Sequence, residues 1–226
     1  KGERSFVYWR DNSAARHIVS HRDFYRVERM LEDMDFIYLS GISLAILPEN
    51  DCQQLIAILT QLSADGKRII FDTNHRPRLW VDKGGEKQAQ HIYTQVLAIS
   101  DIALLTDDDE IKLWGDKDYL SVINRLAQSG VKKMVLKRGE HGCIYRDFNT
   151  GESITTGIEK LVQVVDTTSA GDSFNAGYLN GYLRGLTPEI CAEIGNLIAG
   201  IVIQHKGALI DKSLLENAIT RVNNYE

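Results

Sequence analysis

Val164-Val165-Asp166-Thr167-Thr168-Ser169-Ala170-Gly171-Asp172-Ser173-Phe174-Asn175-Ala176-Gly177 reads as a short apolar strand that turns through small residues into a helix opening on a carboxylate. A helix start leaves backbone N–H groups without partners and carries a partial positive charge, so small residues there let an anion approach the backbone. Asp172 beside that cradle is a candidate base. On spacing alone it is equally a helix cap, because Asp and Ser are common at that position. Neither Gly-x-x-x-x-Gly-Lys-Ser/Thr nor Gly-x-Gly-x-x-Gly occurs after a strand, which excludes the two commonest phosphate-binding loops. What remains is the helix start Ala170-Gly171-Asp172, whose N–H groups could hold the charge that builds on a phosphoryl group during transfer while Asp172 could accept a proton from an attacking hydroxyl. A sugar hydroxyl is a far weaker acid than a carboxylic acid, so the proton leaves late while the carboxylate orients the nucleophile.

Upstream of this stretch, apolar runs over residues 35–40, 67–72, 102–105 and 132–137 predict buried strands. Between them, residues 48–64, 86–100, 107–114 and 119–128 predict helices, the first with Leu55, Ile58, Leu59 and Leu62 on one face and Gly66 at its end. This β-α-β alternation argues for a doubly wound, mostly parallel sheet. Residues 143–146 and 153–156, joined through Asn149-Thr150-Gly151, break it with an antiparallel hairpin at the sheet edge. Polar residues gather where strands end, at Asp72-Thr73-Asn74-His75-Arg76 and at Arg138-Gly139-Glu140-His141-Gly142, and open α/β sheets bind ligands there. After Asp172, residues 172–183, 188–205 and 212–222 predict three helices, with Lys206-Gly207-Ala208 a turn. At the other end, residues 5–10 alternate as a strand and residues 13–32 as loop and helix.

Two side-chain groups invite a metal. His17 and His21 stand four apart, but Ile18 occupies the place where a zinc-protease helix needs Glu. Asp107-Asp108-Asp109-Glu110 either holds an ion or complements the helix dipole and faces water.

The 226 residues, 43% of them apolar, suffice for a full core, and no repeat or Pro/Gly-rich linker divides them. One continuous domain over 1–226 is expected. A net charge of -5, from 26 basic and 31 acidic residues, gives no basic excess to hold nucleic acid. Cys52, Cys143 and Cys191 are scattered and odd in number, which predicts buried thiols in a reducing compartment. No apolar run approaches membrane-spanning length and no signal-peptide core follows Lys1-Gly2-Glu3-Arg4, so a cytoplasmic location without membrane partners is expected. The Lys at position 1 suggests a piece of a longer polypeptide.

Asp166-Thr167-Thr168-Ser169-Ala170-Gly171-Asp172-Ser173-Phe174 resembles the C-terminal signature of the ribokinase-like (PfkB) sugar kinases, Asp-Thr-x-Gly-Ala-Gly-Asp-x-Phe. Within that family, Phe6-Val7-Tyr8-Trp9-Arg10, Tyr38-Leu39-Ser40-Gly41-Ile42-Ser43-Leu44-Ala45 and Arg76-Pro77-Arg78-Leu79-Trp80 look most like the members that phosphorylate 2-keto-3-deoxygluconate. The resemblance implies a three-layer α/β sandwich with a mostly parallel central sheet and an antiparallel edge hairpin. Residues 1–12 would belong to a small β lid and 33–226 to the nucleotide- and sugar-binding core. It further implies that about a third of a domain precedes these residues, carrying the first core strands, part of the lid and a Gly-Gly pair.

By the same resemblance the reaction is transfer of the ATP γ-phosphoryl group to the sugar's 6-hydroxyl, with Asp172 as base and Ala170 and Gly171 as anion hole. Tyr8, Arg10 and Arg76 would contact the keto-acid, and a guanidinium fork suits a carboxylate. Asn74, Lys137, Gly139, Gly142, Ser169, Asn196, Gly207 and Ala208 would line the nucleotide. Ser169 stands where the family has Gly, which fits a backbone of ordinary conformation. Thr106-Asp107-Asp108-Asp109-Glu110 lacks the Asn of the family's Asn-x-x-Glu, so the implied Mg2+ has no assigned contact. Asp166 and Thr168 correspond to a monovalent cation site of some relatives, and potassium stands beside simple turn hydrogen bonds as a reading. A homo-oligomer is left open. Two other functions compete: a kinase of fructose, ribose or a nucleoside, and a truncated fragment that binds without catalysing.

Overall fold

A computed structural model describes residues 13–158 and 163–223. The strand expected over residues 5–10, and with it the lid call on 1–12, lies outside the described residues. Contacts divide the described chain into two compact units, residues 13–135 with 147–151 and residues 136–146 with 152–158 and 163–223.

In the first unit, helices α1 (Phe24–Glu32), α2 (Gly41–Ile46), α3 (Glu49–Ala64), α4 (Gly85–Ala98), α5 (Asp107–Trp114) and α6 (Tyr119–Leu126) alternate with strands. The strands are β1 (Phe36–Ser40), β2 (Arg68–Asp72), β3 (Ile102–Thr106) and the first residues of β4 (Lys133–Lys137), in that spatial order. β1 runs parallel to β2 and β2 to β3, with Ile37 opposite Ile69 and Phe71 opposite Ala103. Ile69, Ile70, Phe71 and the run from Ile102 to Leu105 are all buried, as strands covered on both faces require. β1 differs from the fully buried strand expected, because Tyr38 is 46% exposed on the edge of this order and donates its hydroxyl to Asp72 Oδ2 at 3.0 Å.

The buried face of α3 is Cys52, Ile56, Leu59 and Leu62, so Leu55 and Ile58 lie at its margin and not in it. Cys52 acts there as a small hydrophobe and rotates the face by about one residue. α2 has no counterpart in the sequence reading. Ser40 caps it by accepting from the Ile42 N–H at 3.3 Å, and a side chain at Gly41 would overlap the Thr73 carbonyl oxygen and the Tyr93 hydroxyl.

The second unit holds the end of β4, the hairpin of β5 (Cys143–Asp147) and β6 (Ser153–Thr156), and helices α7 (Ala170–Leu183), α8 (Pro188–Val202) and α9 (Glu216–Asn223). β5 and β6 are antiparallel with Ile144 opposite Thr155, as expected. α7 and α8 approach backbone to backbone through glycines. A Cβ on Gly177 would sit 2.8 Å from Ile194 O, and one on Gly195 3.0 Å from Phe174 O.

Three boundaries move. Residues 163–167 form no strand; the Val165 and Asp166 N–H groups both donate to Ile203 O, at 2.9 and 3.1 Å, and Val164 is exposed. α8 stops at Val202, after which Gln204 and His205 donate into tight turns. The last predicted helix begins as a 3-10 turn over Lys212–Leu215, because the Asp211 side chain takes the Ser213 N–H at 2.8 Å. All three cysteines are buried and free, and burial pushes the thiols up, to about 11 for Cys52 and Cys191 and about 12 for Cys143. Among the described residues no helix is long and apolar enough to cross a membrane.

Candidate active site

The turn into α7 corrects one expectation. Ser169 does not keep an ordinary conformation: it is left-handed, with φ 60° and ψ 17°, the region that favours the family's Gly. Its side chain makes no cap bond to the helix. The Ala170 N–H donates to Thr167 O at 3.2 Å and the Ser173 N–H to Ser169 O at 2.9 Å. Between them, the Gly171 and Asp172 N–H groups have no acceptor among the described residues, so the open donors are these two. A Cβ on Gly171 would meet only Lys137 Nζ, at 3.6 Å.

Asp172, third residue of α7, is exposed, and among the described residues no hydrogen bond or ion pair holds its carboxylate. It does not act as the cap that spacing alone left open. Lys137, at the end of β4, is only 9% exposed and donates through Nζ to Asn175 Oδ1 at 2.9 Å. Asn175 is a residue the sequence reading missed; its only local signal is a polar residue on the buried face of α7.

Asp166, 1% exposed, accepts hydrogen bonds from the turn and from Gly207. Oδ1 accepts from the Thr168 N–H at 3.0 Å and hydroxyl at 2.7 Å, and Oδ2 accepts from the Gly207 N–H at 2.7 Å. Three of the expected residues, Asp166, Thr168 and Gly207, are thereby joined, the Thr168 bonds being the turn hydrogen bonds that stood beside a cation as a reading. Asn196 donates to Gly157 O at 3.0 Å, Ala208 is exposed, and Gly139 sits at a positive φ of 53°. Gly142 has a structural reason to be Gly, since a Cβ there would overlap the Thr156 carbonyl across the hairpin.

In the first unit, Asn74 is half-buried with φ 33°, and the Arg76 guanidinium donates to His75 O at 3.0 Å and lies 3.9 Å from Asp109. His75 is buried, and burial holds its pKa below the usual 6.5. The acidic run does not simply face water. Asp108 does, but Glu110 is fully buried and takes Arg125 at 2.9 Å. Arg125 also pairs with Asp116 at 2.8 Å and lies over the Trp114 ring at 4.4 Å. Burial raises the Glu110 pKa, and Arg125 opposes the rise. The Thr73 hydroxyl also lowers it, although the pair falls short of hydrogen-bond geometry. His21 Nδ1 accepts from the Asp23 N–H at 3.2 Å, and among the described residues no three His, Cys, Asp or Glu side chains gather as a metal site. Tyr8 and Arg10 lie outside the described residues.

A parallel sheet with an edge hairpin, followed by a helix whose N-terminus carries open N–H donors and an uncapped Asp, belongs to a known class. The chain is a member of the pfkB family of carbohydrate kinases, which matches residues 1–213. It is 50% identical over 223 residues to a 2-dehydro-3-deoxygluconokinase of Haemophilus influenzae, covering 99% of this chain and 70% of that protein. It is 41% identical over 215 residues to the Escherichia coli protein of the same name, covering 95% and 69%. Among solved structures, a PfkB protein from Polaromonas superposes with a TM-score of 0.74 at 24% identity over 93% of this chain and 65% of that one. A putative ribokinase II from E. coli in complex with ATP and Mg2+ superposes with a TM-score of 0.70 at 22% identity, over 86% and 61%. The expected ribokinase-like architecture is therefore the one observed.

Proposed function

We propose that this chain carries the catalytic turn of an ATP-dependent kinase that phosphorylates the 6-hydroxyl of 2-dehydro-3-deoxygluconate, also called 2-keto-3-deoxygluconate. The observation that carries the reading is the first turn of α7, where the uncapped Asp172 carboxylate stands beside the open Gly171 and Asp172 N–H groups. The name shared by the relatives at 41–50% identity supports the substrate. In the reaction the 6-hydroxyl oxygen bonds to the γ-phosphorus while the bond to the β-γ bridging oxygen breaks. The hydroxyl proton passes to Asp172 and ADP leaves. Gly171 and Asp172 N–H groups hold the charge on the transferred group, and Arg76 binds the sugar's carboxylate as a planar fork. Asn74, Lys137, Gly139, Gly142, Asn196, Gly207 and Ala208 belong to the nucleotide side of the reading. Mg2+, when bound, would supply positive charge to the phosphates.

The reading is tested on the full-length protein by Asp172→Asn. Turnover should fall about 10²- to 10⁴-fold, the range for loss of a general base, with sugar binding retained in calorimetry. Unchanged turnover would refute the base assignment. Steady-state kinetics on 2-dehydro-3-deoxygluconate against fructose and ribose test the substrate, and a preference for the neutral sugars would defeat it. Exchange of K+ for Na+ in the same assay tests the monovalent cation at Asp166 and Thr168.

A further inference from the structure

Lysine is rarely buried to the depth of Lys137, and something must fix the ammonium there. One partner, at 2.9 Å, is the Oδ1 of Asn175, itself 2% exposed. Asn175 follows Asp172 by three residues on α7, so one helical turn presents the carboxylate at its start and the amide below it. Lys137 Nζ is 3.6 Å from the space a Gly171 side chain would fill, along the backbone that carries the two open N–H donors. An amide oxygen orients an ammonium without cancelling its charge. A carboxylate of the same shape would orient it and cancel it.

We propose that Asn175 is a positioning residue of phosphoryl transfer. Its amide oxygen fixes the Lys137 ammonium beside Gly171, so that the ammonium and the Gly171 and Asp172 N–H groups together take up the charge that grows on the transferred phosphoryl oxygens. The inference rests on the kinase reading above and adds to it the residue that holds the cation. A donor set already in place needs no reorganisation as the charge develops, which is why the neutrality and position of Asn175 both matter.

The test uses the full-length protein with ATP and 2-dehydro-3-deoxygluconate. Asn175→Asp keeps the acceptor oxygen, adds a negative charge and exchanges the amide NH2 for a second oxygen. It should lower kcat about 10²-fold, the scale for loss of one charge-stabilising donor, with the sugar KM within about twofold and the melting midpoint unchanged. Asn175→Ala should lower kcat as well. Adding Lys137→Met to either variant should cost little more, because the two side chains act as one unit. Wild-type kcat in Asn175→Asp, or losses from Asn175 and Lys137 variants that simply multiply, would overturn the inference. If Asn175→Asp does not fold, Asn175→Ala and Lys137→Met decide by the same non-additivity. A purely structural Asn175 would lower the melting midpoint and leave kcat of the folded fraction intact. Failure of the kinase reading looks different, since the wild type would then make no phosphorylated sugar. Turnover that Asp172→Asn abolishes and Asn175→Asp spares defeats this inference alone.

Discussion

At Ser169 a single residue carries the bend that aims α7, and it does so at φ 60° with a side chain. A β-branched residue is a far poorer occupant of that region than Ser. Ser169→Val is expected to cost about 1–2 kcal/mol in denaturant unfolding and to reduce turnover by disturbing the Gly171 donor, whereas Ser169→Gly should retain wild-type activity. The Glu110 carboxyl offers a second residue-scale test. Its pKa is raised by burial above the ordinary 4.5, so the fold binds its proton more readily than the unfolded chain does. Its contribution to stability is therefore full below pH 4.5 and is lost as pH rises through the folded value. Arg125 opposes that loss. Arg125→Met should destabilise by about 3 kcal/mol or more, increasingly so as pH rises from 5 to 8 in thermal melts, because a buried charge loses its partner. Arg125→Met with Glu110→Gln should remove that added pH dependence.

Among the elements, α7 joins chemistry to packing. It carries Asp172 and Asn175 on its first turns and Gly177 and Gly181 on the next, against α8. A Cβ on Gly177 would stand 2.8 Å from Ile194 O, a backbone atom that no side-chain rotation moves. Gly177→Ala is expected to cost about 1–3 kcal/mol by overpacking and to lower kcat more than it raises the sugar KM, since the helix that shifts bears the base. Gly185→Ala is the control. It has open space around its Cβ, so it carries only the strain of a positive φ and should leave kcat unchanged. The elements were also the most legible feature of the sequence. β2, β3 and β4 are runs of five residues with buried cores, and each follows an amphipathic helix. The α2 helix was not legible, because six residues are too few to show a helical period.

For the whole molecule, acid stability follows from His75. Burial lowers its pKa below 6.5, Arg76 adds to the fall and Glu86 opposes it. A group with a depressed folded pKa contributes stability above its unfolded value that is lost as pH falls through the folded one. The melting temperature should therefore decline below about pH 6.5, and His75→Gln should flatten that part of the profile.

What the sequence determined by itself was the alternation of β1 to β4 with their helices, the hairpin and the start of α7. Hydrophobic period and turn chemistry are local properties of the chain, and Asp166 to Phe174 form one local motif. What only the tertiary structure decided was how those residues are held. Ser169 turns left-handed because the path into α7 demands it, and Asp166 finds Gly207 41 residues away. Lys137 meets Asn175 across 38 residues, and Glu110 meets Arg125 across 15. No period or spacing encodes such pairs, because a buried polar group is satisfied by whatever the fold brings beside it. The opening stretch thus carries the carboxylate of Asp172, and the fold around it sets the open N–H groups and the Lys137 ammonium near that turn.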